Sequence, residues 1–304
     1  MYDVLIVGAG PAGMSAAIYV QRAGKSSIVL DEKGYGGQIV NTREVENYPG
    51  VKSVSGPEFA RGLFEQASSL GATIRVEKVT GIQPQEDGTF DVISGSETRN
   101  VKAVILATGV KNRKMNVDGE TRLTGSGVSF CATCDGNFFR GQQVAVVGGG
   151  DTALEDAETL AGLCEKVYLV HRRDQFRGSA TTVERLKKME NVEFVLSTLP
   201  VRIEGESVVE GLRVQNQVTG AYTVLPVSGV FVAVGQDPDN KAFAALLDLD
   251  KAGYIVGSED CRTSTPGIFV AGDCRTKKVR QLTTAAADGA VAALAAVEYV
   301  NEHQ

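Results

Sequence analysis

Twice in this chain a short apolar strand breaks into a glycine-rich turn and resumes as a helix, and few folds accommodate that pattern even once. The first copy runs from Asp3 to Val7, through Gly8-Ala-Gly10-Pro11-Ala12-Gly13, into a small-residue helix over Met14 to Arg22. Gly8 permits the tight turn, Gly10 lets the backbone approach a pyrophosphate, and Gly13 lets helix and strand pack closely. The free amides at the helix start favour the phosphate charge. The next strand, Ser27 to Leu30, ends in Asp31-Glu32, where a carboxylate accepts hydrogen bonds from ribose hydroxyls; Glu32 is the first choice and Asp31 the second.

The second copy has the same plan and the opposite charge. Strand Gln143 to Val147 leads into Gly148-Gly149-Gly150-Asp151-Thr152-Ala153 and a helix to about Leu163. Its following strand, Lys166 to Val170, ends in His171-Arg172-Arg173, with Arg177 a turn further on. Guanidinium groups bind a 2′-phosphate bidentately, and a carboxylate there would repel it. The acidic ending suits FAD, whose adenosine ribose carries no such phosphate, and the basic ending suits NADPH.

Between the two copies lies Cys131-Ala-Thr-Cys134, the spacing at which two sulfurs close a small disulfide. Half a zinc site is the alternative, but it needs two further ligands nearby. Cys164, Cys261, Cys274, His171 and His303 are all remote in sequence, so no metal is expected. Asp135 follows the second cysteine and can deliver or accept the proton of thiol–disulfide exchange, while Asp-Gly equally marks a turn. Phe138 and Phe139 read equally as core or as an apolar docking patch.

With 43% hydrophobic and 22% charged residues, the 304-residue chain has the composition of a soluble globular protein. A net charge of −6 argues against general affinity for nucleic acid. The alanine-rich run from Thr283 to Val300 is interrupted by Asp288 and reads as a packed helix, so no membrane span is expected. Five cysteines with one close pair fit a reducing compartment, which places the protein in the cytoplasm.

The whole chain, 1–304, resembles the low-molecular-weight thioredoxin reductase family. The matching motifs are the two glycine fingerprints, Gly36-Gly37-Gln38, Glu46-Asn47-Tyr-Pro-Gly50, Ala107-Thr108-Gly109, Cys131 to Asp135, His171 to Arg173 with Arg177, Gly272-Asp273 and Arg280-Gln281. The resemblance implies that Gly37, Gln38 and Asn47 line a flavin, with Thr108 and Gly109 also contributing. It implies that Gly272-Asp273 holds the ribityl and phosphate region, and that Arg280, Gln281 and Leu282 lead into a helix facing the pyrimidine edge. Gly235 joins the cofactor-binding set. Two positions depart from the pattern where the partner docks: Ser126 stands where an arginine is common, and Asn137 where a phenylalanine is common.

The fold class expected is α/β, with two Rossmann-like three-layer domains, each carrying an antiparallel β addition. Because Gly272-Asp273 serves the first cofactor, the FAD domain is discontinuous, over 1–112 and 244–304, and the NADPH domain is inserted at 115–241. The crossings are Lys111 to Lys114 and Gly235 to Asp239. Turns at Asp87-Gly88 and Ser94-Gly95 mark a meander between Glu65 and Val110, and turns at Glu204-Gly205 and Thr219-Gly220 mark another between Thr198 and Val234. The implied activity is transfer of electrons from NADPH through FAD and the Cys131–Cys134 disulfide to thioredoxin or a thioredoxin-like protein, in a homodimer, with domain rotation between half-reactions. The alternatives are reduction of a peroxiredoxin- or glutaredoxin-like protein, a dithiol oxidase, or a flavin-binding sensor without turnover.

Overall fold

Aliphatic runs too short for a helix and bounded by glycine become central strands. In the computed structural model, which describes residues 2–303, β1 (Tyr2–Val7) leads into α1 (Pro11–Arg22), whose first position is a proline that has no N–H to leave unpaired. Then follow β2 (Ser27–Asp31), α2 (Gly56–Ser69), β3 (Thr73–Val76), β4 (Val79–Pro84), β5 (Phe90–Ser94) and β6 (Glu97–Leu106). Ser55 and Glu58 close a capping box at the start of α2, which fixes where that helix begins. Because α2 runs to Ser69, the meander begins later than Glu65.

Strand β6 belongs to both halves of its sheet. Its first half pairs antiparallel with β5, and its second half pairs parallel with β1, Ile105 opposite Ile6. The parallel run continues through β2 to β3. Alternation along β1 separates two cores. Val4 and Ile6 face the α1 side, and Leu5 and Val7 face the side lined by Ile82, Phe90 and Val92 of the meander.

After β7 (Val110–Asn112) and α3 (Glu120–Leu123) the same plan repeats. Strand β8 (Val128–Ser129) and the one-turn α4 (Ala132–Asp135) precede β9 (Gln143–Gly148), α5 (Asp151–Ala161), β10 (Lys166–Val170), α6 (Ala180–Leu186) and β11 (Val192–Val195). A separate antiparallel sheet follows, from β12 (Thr198–Glu204), β13 (Gly211–Asn216) and β14 (Tyr222–Leu225), and β15 (Gly229–Ala233) returns to the first. The parallel order is β11-β10-β9-β15-β8. Val144 and Val146 pack on α5, and Ala145 and Val147 pack on Ile203, Leu212 and Val214 of the antiparallel layer.

The chain returns through β16 (Gln236–Pro238), which pairs with β7, then forms β17 (Ile268–Val270) and α7 (Leu282–Glu302). It divides into two units, Met1–Lys111 with Asp237–Gln304, and Asn112–Gln236. The return therefore falls at Asp237, earlier than 244. Asn240 and Phe243 are buried, and Phe243 belongs to the core that contains Leu5 and Val7. In the first unit β17 pairs with β6, and α7 lies along α1. Gly289 makes that contact possible, since a Cβ there would lie 2.1 Å from the Ala12 carbonyl oxygen.

Candidate functional site

In the first unit the glycine turn has its expected shape, and each glycine has a separable cause. A Cβ on Gly8 would lie 2.2 Å from Ala107 O, and φ there is +108°. One on Gly13 would lie 1.8 Å from Gly8 O. Gly10 is different: its nearest neighbour would be Gly37 Cα at 3.8 Å, so the protein itself does not require glycine there. The two acids at the end of β2 divide their work. Asp31 Oδ2 accepts Ala9 N–H and Oδ1 accepts Lys33 N–H, both at 2.8 Å, so this carboxylate holds the loop. Glu32 is exposed and forms a surface ion pair with Lys78.

Residues far apart in sequence converge on this turn. Gly272, at φ +79°, places its Cα where a Cβ would meet Ala12 Cβ at 2.9 Å. Next to it, Asp273 Oδ1 is buried with no hydrogen-bond partner. Burial raises its pKa, and the nearby charges of Lys277 and Arg280 oppose that. An orphaned buried acceptor is costly, and a polyol hydroxyl would satisfy it. Asn47 Nδ2 donates to Gln281 Oε1 at 3.4 Å, bringing together two residues of the expected flavin set. Gln281 caps α7, and Leu282 is its first residue. Gln38 Nε2 donates to Val110 O at 2.9 Å.

Arg280 reaches the Asp273 turn. Its Nε donates to Asp273 O at 3.2 Å and its guanidinium stacks over Tyr254, 4.2 Å from the ring centre. It therefore shapes the Asp273 turn. Thr108 Oγ1 donates to Asn240 Oδ1 at 3.0 Å, and Asn240 Nδ2 donates to the carbonyls of Gly253 and Cys274, both at 2.9 Å. Asn240, 1% exposed, thus bolts the Thr108-Gly109 turn to the Gly272–Cys274 turn. Sequence reasoning missed it, because a lone Asn after a proline turn carries no distinguishing signal. It also missed the role of Asp288. This carboxylate accepts Gly272 N–H, Arg275 Nε at 2.9 Å and Lys277 Nζ at 2.7 Å. Burial acts to raise its pKa, but the Arg275 and Lys277 bonds outweigh it and hold the group below the usual range. The one aspartate of an alanine-rich helix was the available signal.

The second unit builds its own loop. Gly148 is pressed on Ala233 O, and Gly149 on the His171 ring, which would lie 2.0 Å from a Cβ. Nothing lies within 4 Å of that position on Gly150, the N-cap of α5. Ala153 is buried against Gly148, and Thr152 is exposed. His171 does not share the surface with the arginines. It is buried, stacks on Phe176 and donates from Nε2 to Gln175 O at 3.0 Å; burial first, then Arg172, Arg173 and Arg177, lower its pKa. It supports Gly149 as a neutral ring. Arg172, Arg173 and Arg177 are exposed, and their loop is tied to the glycine turn by Arg177 N–H to Gly149 O (2.8 Å) and Ser179 N–H to Asp151 Oδ1 (2.7 Å). Gly235 lies at the exit, its carbonyl accepting Arg113 N–H at 3.0 Å.

In the same unit Cys131 and Cys134 form a disulfide at the two ends of one helical turn, with Cα atoms 5.3 Å apart. Cys131 Sγ accepts Cys134 N–H at 3.2 Å. Asp135 is partly buried, and burial raises its pKa against the opposing hydrogen bond that Ser129 Oγ donates at 2.5 Å. Ser129 also accepts Cys131 N–H at 3.1 Å, linking the acid to the first cysteine. No sequence signal marked it. Phe139 is wedged against Gly229 and Phe231, whereas Phe138 is 37% exposed, so the pair divides between core and surface. The other three cysteines are buried thiols whose pKa burial raises, Cys261 to about 11. Among the described residues no cluster of three or more His, Cys, Asp or Glu is placed to hold a metal ion, and no helix is long and apolar enough to cross a membrane.

Two dinucleotide-type loops of opposite charge and a paired dithiol define a disulfide oxidoreductase. The chain belongs to the pyridine nucleotide-disulphide oxidoreductase family, whose model matches residues 2–289. It is 42% identical over 303 residues to a thioredoxin reductase of Listeria monocytogenes, covering 99% of this chain and 95% of that protein. It is 41% identical to a bifunctional thioredoxin reductase/thioredoxin of Mycobacterium leprae, covering all of this chain and 67% of that one. The crystal structure of thioredoxin reductase from Streptococcus pyogenes superposes with a TM-score of 0.95 at 40% identity, covering 99% of each chain. The cofactors of such enzymes are FAD and NADPH.

Proposed function

We propose that this protein reduces the disulfide of thioredoxin at the expense of NADPH. One observation carries the proposal: the Cys131–Cys134 disulfide and the arginine-flanked loop belong to one unit, Asn112–Gln236. The Mycobacterium leprae relative, named for both proteins in one chain, supports thioredoxin as the acceptor.

The residues present fit both nucleotides. The first unit would hold FAD with the Gly8–Gly13 turn, Glu32 and Asp273, and the second would hold NADPH with Gly148–Ala153, Arg172, Arg173 and Arg177. When bound, the two supply a hydride source and a two-electron relay that opens the disulfide. Everything else falls to this chain. The reduced pair presents a thiolate, which attacks one sulfur of the partner disulfide; that S–S bond breaks as a mixed disulfide forms. The second enzyme thiolate displaces the partner as a dithiol and restores Cys131–Cys134. Asp135, kept protonated to higher pH than an ordinary carboxylate by burial, holds the proton that the departing sulfur requires. The Cys134 amide stabilises charge on Cys131.

The proposal extends to a cytoplasmic homodimer in which the two units rotate between half-reactions, with Phe138 on the docking face. Anaerobic titration tests the core of it. Bleaching of a bound flavin by NADPH but not NADH, then reoxidation by thioredoxin, is the expected outcome. Reoxidation only by oxygen, with thioredoxin inert, sinks it in favour of a dithiol oxidase. A crosslink between the units should stop turnover and spare one half-reaction.

A further inference from the structure

Arg280 lies just ahead of the N-cap of α7, and an aromatic ring keeps its cation in place. Its Nε donates to Asp273 O at 3.2 Å and its Nη2 to Arg275 O at 3.3 Å. One planar guanidinium therefore grips both sides of the turn that carries Asp273. Its charge also reaches the Asp273 carboxylate and favours the ionised form. Beneath it lies the face of Tyr254, with the ring centre 4.2 Å away.

Tyr254 is itself held by its backbone. Its N–H donates to Asp250 Oδ1 at 2.9 Å, and its carbonyl accepts Asp250 N–H at 2.8 Å. Gly253, at φ +89°, closes that turn by donating its N–H to Asp250 O at 3.0 Å. The next residue lies beside the outgoing arm of the Asp273 turn. Ile255 N–H donates to Cys274 O at 3.0 Å, and Thr276 N–H donates to Ile255 O at 2.8 Å. These bonds fix the register in which ring and guanidinium meet, so the pair is preorganised.

A cation over a partly buried ring is attracted by the ring quadrupole, and a planar guanidinium also stacks on it. Asp273 Oδ1 is the buried acceptor without a partner, so whatever aims this carboxylate decides how well a polyol hydroxyl meets it. We propose that Tyr254 is a positioning residue of the cofactor site, which acts through Arg280 to hold the Asp273 turn in the geometry that receives the ribityl and phosphate region of FAD. The inference rests on the reading that the first unit holds FAD, and on nothing at the redox pair.

The test follows flavin release from the full-length holoprotein on dilution, as the rise of free-flavin fluorescence. Tyr254→Leu removes the ring and should speed release by about 3- to 30-fold, the range that cation–π contacts span. Tyr254→Phe keeps the ring and should release flavin within about twofold of wild type. In an Arg280→Met background, Tyr254→Leu should add less than about twofold, because the group through which the ring acts is gone. Equal release from the Leu and Phe variants overturns the proposal, as does a Leu effect undiminished in the Arg280→Met background. Should Tyr254→Leu not fold, pentafluorophenylalanine at position 254 is compared with Tyr254→Phe, since the two rings share a shape but differ in the sign of the quadrupole. Faster release from the fluorinated ring supports the proposal, and equal release overturns it. Neither measurement involves thioredoxin or NADPH, so a protein that retains flavin but leaves thioredoxin oxidised refutes the proposed function and not this inference.

Discussion

Asp288 Oδ2 accepts the backbone N–H of Gly272 at 3.0 Å, so the long C-terminal helix holds the turn that carries Asp273. The same carboxylate neutralises Arg275 and Lys277, whose side chains are 11% and 8% exposed. Asp288→Asn leaves those cations without a counter-charge and should cost about 3–5 kcal/mol, with loss of FAD on gel filtration. The pH sign follows from a depressed folded-state pKa. The stabilisation is present above the ordinary carboxylate range and is lost as pH falls through the folded value. Melting temperature against pH should therefore drop less at the acid end in the variant than in the wild type.

Gly10 and Gly13 differ in what a Cβ would meet, ordinary contact with Gly37 Cα at the first and a clash with Gly8 O at the second. Gly13→Ala drives a Cβ into Gly8 O and should lower stability by about 1–3 kcal/mol or more. Gly10→Ala meets no close protein atom and has ordinary extended backbone, so its melting temperature without flavin should match wild type while FAD affinity falls. Equal destabilisation in the two variants would refute the assignment of Gly10 to the cofactor.

Ser129→Ala removes the hydrogen bond that partly counters burial at Asp135. The acid should then hold its proton to still higher pH. If the protonated form is the active one, the alkaline limb of thioredoxin turnover moves to higher pH, with the flavin spectrum unchanged. A limb that stays in place removes Asp135 from the proton path.

Arg173→Ala and Arg177→Ala should each lower kcat/KM for NADPH by about 10- to 150-fold, from charge-assisted bonds worth about 1.5–3 kcal/mol. NADH turnover should change little, since it has no 2′-phosphate. His171→Ala acts on a different part of the site. It withdraws the ring beneath Gly149 and should weaken both coenzymes together.

What local pattern could encode, the sequence determined. Strand, glycine turn, helix and charged ending are contiguous in both units, so their backbone constraints lie within one stretch of some thirty residues. The disulfide spacing and the discontinuous first unit were also visible there, although the return at Asp237 was not. Nothing local shows that Asn240 is buried between two turns, or that Ser129 rather than the solvent holds Asp135. Hydrogen bonds such as Asn240 to Thr108, 132 positions apart, depend on the fold that brings them together. Tertiary structure also divided residues of one type among different tasks. Asp31 was spent on Ala9 and Lys33, Glu32 was left exposed, and His171 was buried beneath a glycine while its neighbouring arginines face water. Burial and the competition for backbone amides decide those roles, and both are properties of the packed chain.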